Sequence, residues 1–397
     1  MNTSLNIGII LILGLISSVI LRKLKSPDVL SYIIVGILIG NSFFNIVNPE
    51  IIKYENLLTS LTLGFIAFLI GESLRIKDLK EIGKSGIVVT IVQAIVTTFL
   101  VFLGFYLLFY FKIIKINYSF EVSLILGVTA TATAPAATFL VLRQYRSKGP
   151  LTNYILMAVT LDDAIGIIFF DIAVTIIKSS VNGSKINLLE SFYSFSREFL
   201  LSLIIGFLLG LLISKMVKYF KSNEEILILS LSFIILGVGL AQQFNLSPLL
   251  LNIILGATFA NLSIRSENVF RNVENWLPPV FLIFFVISGS TFNLSLIIKN
   301  FVFIIIYFIL RALGKIYGCF LGAEITKAPV NVKKYLGLSM LSQAGVAIGF
   351  SVYIKNLFPQ IAYINTIILA GVIIFEIIGP IGVKYSIFKA NEYSLKK

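Results

Sequence analysis

The run Thr160-Leu161-Asp162-Asp163-Ala164 sets two adjacent carboxylates inside a long apolar stretch, and Arg311-Ala-Leu-Gly-Lys315 sets two cations inside another. Charge is costly in hydrocarbon, so each group is a functional candidate first. A carboxylate can hold a monovalent cation or a proton, and the two compete for the same negative charge. Neighbouring residues on a helix point about 100° apart, so Asp162 and Asp163 cannot both face one partner. One can pair with a cation while the other faces a cavity. Two interrupted helices supply the rest of such a site. In Thr129-Ala-Thr-Ala-Thr-Ala-Pro135 the proline has no N–H, so the Thr131 carbonyl loses its helical partner and can face an ion, and Thr133 adds a second hydroxyl to that of Thr131. The run Ser342-Gln343-Ala-Gly345-Val-Ala-Ile-Gly349 can unwind in a matching way. Where two such breaks cross, helix ends bring partial charges of both signs. With a carboxylate and a fixed lysine, that makes a cation site that a proton can empty. Asp171 reads as an outer-vestibule group or a structural pair, Arg311 as a pairing or packing residue. Glu376 reads as structural, close to the inner end of its span and beside the Gly379-Pro380 kink.

These residues need helices that cross a bilayer, and the composition provides them. The 397 residues are 57% hydrophobic and 13% charged, with a mean hydropathy of +0.98, which excludes an ordinary soluble enzyme. With no histidine and the one cysteine, Cys319, in an apolar run, disulfide frameworks and zinc or heme sites on Cys or His are excluded, and no cofactor is expected. Apolar runs predict an all-α polytopic protein with about 13 spans, near 5–22, 28–46, 57–74, 86–112, 119–143, 151–178, 196–219, 224–242, 247–264, 275–292, 298–322, 333–354 and 361–386. Asp163 lies 13 residues beyond Pro150, roughly 20 Å at helical rise, and so near mid-membrane. Lys315, 16 residues from Lys299 and 12 from Lys327, sits at a similar depth. Of the 32 basic residues, 22 follow odd-numbered spans and 8 follow even ones, which puts the N-terminus outside and the C-terminus in the cytoplasm of a cell-membrane protein. The net charge of +13 is therefore read as topology, and no nucleic acid is expected. The opening segment has no basic n-region or cleavage signal, so the first span reads as retained. Three short matches recur seven spans apart: Gly36 to Asn41 with Leu255 to Asn261, Phe68 to Leu79 with Phe285 to Leu296, and the two interrupted runs. An odd offset reverses direction in the membrane, so the halves read as an inverted repeat, the architecture of alternating-access transporters.

The stretch from Thr131 to Phe170, TATAPAATFLVLRQYRSKGPLTNYILMAVTLDDAIGIIFF, together with Gly314-Lys315 and the SQAGVAIG run, resembles the NapA-like sodium/proton antiporters of the cation:proton antiporter superfamily, the Kef-related branch with paired aspartates. The resemblance covers essentially the whole chain. It implies an inverted-repeat NhaA/NapA-like fold with two crossing broken helices, and electrogenic Na⁺/H⁺ exchange by an elevator mechanism in a homodimer. It makes Asp163 the carboxylate for the transported cation and proton, Asp162 the partner of Lys315, and Thr131, Thr133, Pro135, Gln343 and Gly345 the broken-helix site. Dimerisation helices are expected at about 1–80 and 190–295, an ion-translocating core at about 84–180 and 296–387, and a short cytoplasmic tail at 388–397. Partners are then monovalent cations, protons, membrane lipid and a second copy. Two features depart from the family pattern: Gly71 is followed by Glu72 and then Ser73, which displaces an acidic position, and no Rossmann regulatory domain follows the last span, so nucleotide regulation in cis is not expected. A K⁺/H⁺ antiporter is the runner-up, since K⁺ also uses carboxylate and carbonyl oxygens. A cation channel gives no reason for inverted broken helices. An intramembrane aspartyl protease needs aspartates on two helices, and the chain has no GxGD.

Overall fold

The computed structural model describes residues 3–23, 28–40, 43–112, 116–181, 188–291, 299–343 and 345–393. Every regular element among them is helical. In chain order they are α1 (Thr3–Lys23), α2 (Asp28–Ile39), α3 (Pro49–Ile52), α4 (Glu55–Glu72), α5 (Ile76–Tyr110), α6 (Ser119–Thr129), α7 (Pro135–Gln144), α8 (Pro150–Val181), α9 (Leu188–Met216), α10 (Asn223–Gln243), α11 (Pro248–Leu262), α12 (Ser266–Trp276), α13 (Pro278–Ser290), α14 (Phe301–Ile325), α15 (Val330–Ser339), α16 (Gly345–Leu357) and α17 (Ile364–Lys389). A helix or a pair of helices stands at each of the predicted spans. Seven of the described helices are long and apolar enough to cross a membrane, or eight with the bent pair α12 and α13 taken as one; α2, α6 and α11 are apolar but shorter. Asn41, 292–296 of the second repeat match, Ala344 and the last four residues of the expected tail lie outside the described residues.

Helix ends follow local chemistry. α10 starts on a capping box, with Ser222 accepting from Glu225 N–H and the Glu225 side chain reaching back. α11 starts on Ser247 followed by Pro248 at the first helical position. α5 turns at Gly83, whose φ of 73° suits a residue without Cβ, and its apolar span runs from there. α6 and α7 are separated by five residues, as are α15 and α16, because Pro135 cannot continue a helix and Gly345 begins the next one.

The chain divides into two compact units, 1–56 with 82–166 and 282–397, and 57–81 with 167–281. In the first, α14 carries Gly314, Gly318 and Gly322 one turn apart, and a Cβ on each would stand within 2.9 Å of the Cα of Thr97, Gln93 and Val89 on α5. Small residues at this spacing let two backbones touch, the usual source of helix association in lipid. The lower half of α8 packs Leu151, Ile155 and Val159 among Val141, Leu142, Leu336, Val383 and Ile387. In the second unit the core is aromatic: Phe68, Phe259 and Phe270 stack with ring centroids 4.8 to 6.2 Å apart.

Candidate ion-binding site

The site is built in the first unit, from α5, α8, α14 and the two breaks. Lys315 of α14 is fully buried and places Nζ 2.7 Å from Asp162 Oδ2. It also donates to Thr133 Oγ1 at 2.8 Å and to the Thr131 carbonyl. The Thr133 hydroxyl in turn donates to Asp162. The Gln93 amide, in the orientation that satisfies its neighbours, donates to Asp162 Oδ1 at 3.2 Å and accepts from Lys315 at 3.1 Å. Asp162 is thus a closed ion pair with both oxygens engaged. Breaking one side of such a pair is costly, because the other charge is left stranded.

Asp163, one residue on, points elsewhere. It is 95% buried, takes a hydrogen bond from the Thr133 backbone, and keeps Oδ1 without a partner. Adjacent helical positions have different neighbours, which is why two identical side chains acquire different roles.

The breaks are held by a second cation. Arg311 is fully buried and its guanidinium donates to the Ala130 carbonyl (3.1 Å) and Ala132 carbonyl (2.8 Å) in the first break, and to Leu341 (2.7 Å) and Ser342 (3.3 Å) in the second. Ala134 N–H donates to the Ser342 carbonyl at 3.1 Å, tying the breaks together directly. Gln343 Nε2 donates to the Thr129 carbonyl and to Tyr307 Oη, both at 2.9 Å. Four consecutive carbonyls, Thr129 to Ala132, therefore end on the side chains of Gln343, Arg311 and Lys315. These are the exposed carbonyls at the negative end of α6, where cations are most stabilising.

The structure brings Asp162, Lys315, Thr131, Thr133 and Gln343 to one place. The Thr131 carbonyl, read as able to face an ion, is taken by Lys315, while its hydroxyl bonds back to Val128 at 2.8 Å. Pro135 begins α7, and Gly345 begins α16 beside Phe285. Glu376 lies 12 residues after the start of α17 and 13 before its end, so it is at mid-helix rather than near the inner end. The kink suggested an end, but Pro380 sits inside a continuous helix. Glu72 pairs with Arg75 at 3.3 Å near the surface. Asp171 belongs to the second unit, with the Ser247 hydroxyl on it and Glu198 and Lys178 acting on it. Gln93 and the clamp made by Arg311 were missed. A lone Gln in the apolar run of α5 was the available signal for the first. Arg311, one turn before Lys315 on the same helix, was the signal for the second.

The family description "Sodium/hydrogen exchanger, transmembrane" matches residues 8–388, nearly the whole chain. The chain belongs to the sodium/hydrogen exchanger family. It is therefore a multi-pass membrane transporter of the cation:proton antiporter superfamily, and sodium/proton exchange is the family's activity. A Na(+)/H(+) antiporter of Enterococcus hirae is 26% identical over 350 residues, 86% of each chain. The structure of the sodium proton antiporter MjNhaP1 from Methanocaldococcus jannaschii at pH 8 superposes with a TM-score of 0.76 at 19% identity, over 96% of this chain and 97% of that one. An electron-microscopy map of the same antiporter gives 0.72 at 19% identity over 98% of each. At that identity the match shows that this exchanger shares the fold.

Proposed function

We propose that the protein exchanges intracellular Na⁺ for external protons across the cell membrane, electrogenically and by an elevator-type alternating-access mechanism. The observation that carries this reading is the contrast within one dipeptide: Asp162 is closed by Lys315, whereas Asp163 is buried with an unclaimed oxygen. Asp163 binds the dehydrated cation as a carboxylate, and a proton displaces it by neutralising the same group. Asp162, Lys315 and Arg311 hold the breaks in shape around it, so the site keeps its geometry whichever ligand is bound. The transported ions are cargo, and no resident cofactor takes part.

In this reading the chain crosses the bilayer thirteen times, with α6–α7, α12–α13 and α15–α16 each forming one span, the N-terminus outside and the C-terminus in the cytoplasm. A core of about 84–180 and 296–387 moves against dimerisation helices at about 1–80 and 190–295 of a homodimer. The site-bearing parts of that core, 84–166 and 296–387, lie in one compact unit. Exposed apolar residues of α1 and α9, such as Leu15, Val19, Ile204 and Phe207, suit a lipid or subunit interface.

The test is ion-driven dequenching of a pH dye in proteoliposomes, with Na⁺, Li⁺ and K⁺ in turn and with an imposed membrane potential. Na⁺ is expected to drive proton movement that the potential accelerates, and Asp163→Asn to abolish it at normal expression and folding. Undiminished exchange in that variant would overturn the site; a response to K⁺ alone would convert the reading to K⁺/H⁺ exchange.

A further inference from the structure

Glu55, Thr291 and Lys355 of the first unit meet in a cluster that the ion site does not use. Lys355 Nζ lies 3.0 and 2.9 Å from the two carboxylate oxygens of Glu55 and donates to Thr291 Oγ1 at 3.2 Å. The Thr291 hydroxyl spends its own proton on the Ser288 carbonyl at 3.1 Å, which leaves its lone pairs for the lysine. Glu55 opens α4, Thr291 follows the last residue of α13, and Lys355 lies in the last turn of α16. In the thirteen-span topology proposed above, these three helix ends all face outside.

The cluster differs from the other ion pairs in what it joins. On the elevator reading α16 belongs to the moving core, whereas α4 and α13 belong to the dimerisation scaffold. Lys315–Asp162 and Lys333–Glu324 lie within the core, and Arg75–Glu72, Arg75–Glu267 and Lys53–Glu50 lie within the scaffold. Lys355–Glu55 ties one body to the other, so a core that slides along the scaffold must pull it apart. Its surroundings suit a bond that is made and broken repeatedly. The side chains of Lys315 and Asp162 are fully buried, and separating them would strand two charges. Those of Lys355 and Glu55 are 23% and 9% exposed, so water reaches the pair and can take over both charges. Each charge also stands at the helix end that favours its sign, the carboxylate in the first turn of α4 and the ammonium in the last turn of α16, and keeps that stabilisation when the two part. α16 begins with Gly345 at the second break, and Lys355 lies ten residues on, roughly 15 Å at helical rise. One helix thus carries the break at its inner end and the ion pair at its outer end.

We infer that Glu55, Thr291 and Lys355 form an outer ionic lock, which clasps the core to the scaffold in the inward-facing state and opens for the core to face outward. The inference rests on the elevator reading above. Drawing the outer ends of α4, α13 and α16 together shuts the outer side, so the closed lock favours inward access to Asp163. A partly exposed pair shifts such an equilibrium by about two- to fivefold, which biases the cycle without arresting it.

The test uses full-length protein in proteoliposomes, in a Cys319→Ser background. A cleavable bifunctional thiol reagent that joins Glu55→Cys to Lys355→Cys stops exchange, and cleaving the linker restores it. In Glu55→Gln and in Lys355→Met exchange persists, the external Na⁺ concentration for half-maximal exchange falls about two- to fivefold, and the cytoplasmic one rises by less, because a larger fraction of the protein faces outward. Combining Glu55→Lys with Lys355→Glu moves both values back toward wild type relative to either reversal alone. Spin labels on the exposed positions Phe244→Cys of the scaffold and Val302→Cys of the core read the same balance without transport. They give two distances, and the minor one of the wild type gains weight in Glu55→Gln and Lys355→Met. A cysteine pair that does not cross-link, exchange that continues at full rate through the cross-link, or neutral variants with unchanged distances and half-saturating concentrations overturn the lock and leave the antiport reading standing. A wild type with no exchange overturns the antiport reading, and label distances that still shift in the neutral variants then keep the lock.

Discussion

The two units share a backbone device and differ in what fills the space around it. In the first, α2 crosses α13 glycine on glycine: a Cβ on Gly36 would lie 2.3 Å from the Val286 carbonyl, and one on Gly289 would lie 2.5 Å from that of Ile33. In the second, α4 crosses α11 in the same way, Gly71 against the Ile253 carbonyl at 2.6 Å and Gly256 against that of Phe68 at 2.2 Å. Each glycine meets the carbonyl three residues before its partner glycine, so the two crossings repeat one contact. Beside the crossing the second unit packs the rings of Phe68, Phe259 and Phe270 together. The first unit instead closes two broken helices with Arg311 and Lys315. One crossing is thus surrounded by stacked rings in one unit and accompanied by buried charge in the other, and side-chain chemistry makes the difference.

The largest effect should come from breaking the charged closure. Lys315→Ala strands Asp162 and is expected to cost about 3–5 kcal/mol of stability. Combining it with Asp162→Asn should recover part of that loss, whereas Phe270→Leu in the second unit should add independently to either. Thermal unfolding in detergent decides, and strictly additive losses for the Lys315 and Asp162 pair would dissolve the contrast between the units.

The crossings come next. Gly36→Ala and Gly256→Ala each push a methyl into a carbonyl and should each lose about 1–3 kcal/mol, by similar amounts despite their different surroundings. A loss confined to one of them, in the same thermal assay, would mean the shared frame is not equally stressed.

A smaller effect is the response to acid. Protons and cation compete for Asp163, so the apparent KM for Na⁺ should rise as pH falls, by at most about tenfold per pH unit, and level off in alkali where the carboxylate is fully ionised. With no histidine in the chain, carboxylates or lysine must carry this response. Flux measured across the active range checks it, and a KM flat with pH would require separate cation and proton sites.

The smallest concerns the far end of the ion-site helix. Glu392 accepts from Leu151 N–H (2.8 Å), Thr152 N–H (2.7 Å) and Thr152 Oγ1 (2.8 Å), capping the N-terminus of α8. Glu392→Gln removes the charge that complements that helix end and should cost about 0.5–1.5 kcal/mol, with exchange retained. A loss as large as that of Lys315→Ala would show that the cap, and not the central pair, holds α8.

By itself the sequence determined the helical class, the apolar stretches at which helices stand and the two interruptions, because hydrocarbon tolerates few charges and proline cannot donate: composition and local covalent geometry suffice for these. Pairing is another matter. That Asp162 rather than Asp163 meets Lys315, that Gln93 completes the pair from α5, and that Arg311 spans both breaks depend on groups far apart in the chain, 153 residues for Lys315 with Asp162 and 181 for Arg311 with Ala130, or on the far side of a glycine-lined contact. Nothing in local spacing encodes those distances. The same holds for Glu376, which the chain shows only as an acid beside Gly379-Pro380. That its carboxyl has no hydrogen-bond partner among the described residues is decided only once α17 is packed among its neighbours, because an unpaired group is defined by what surrounds it.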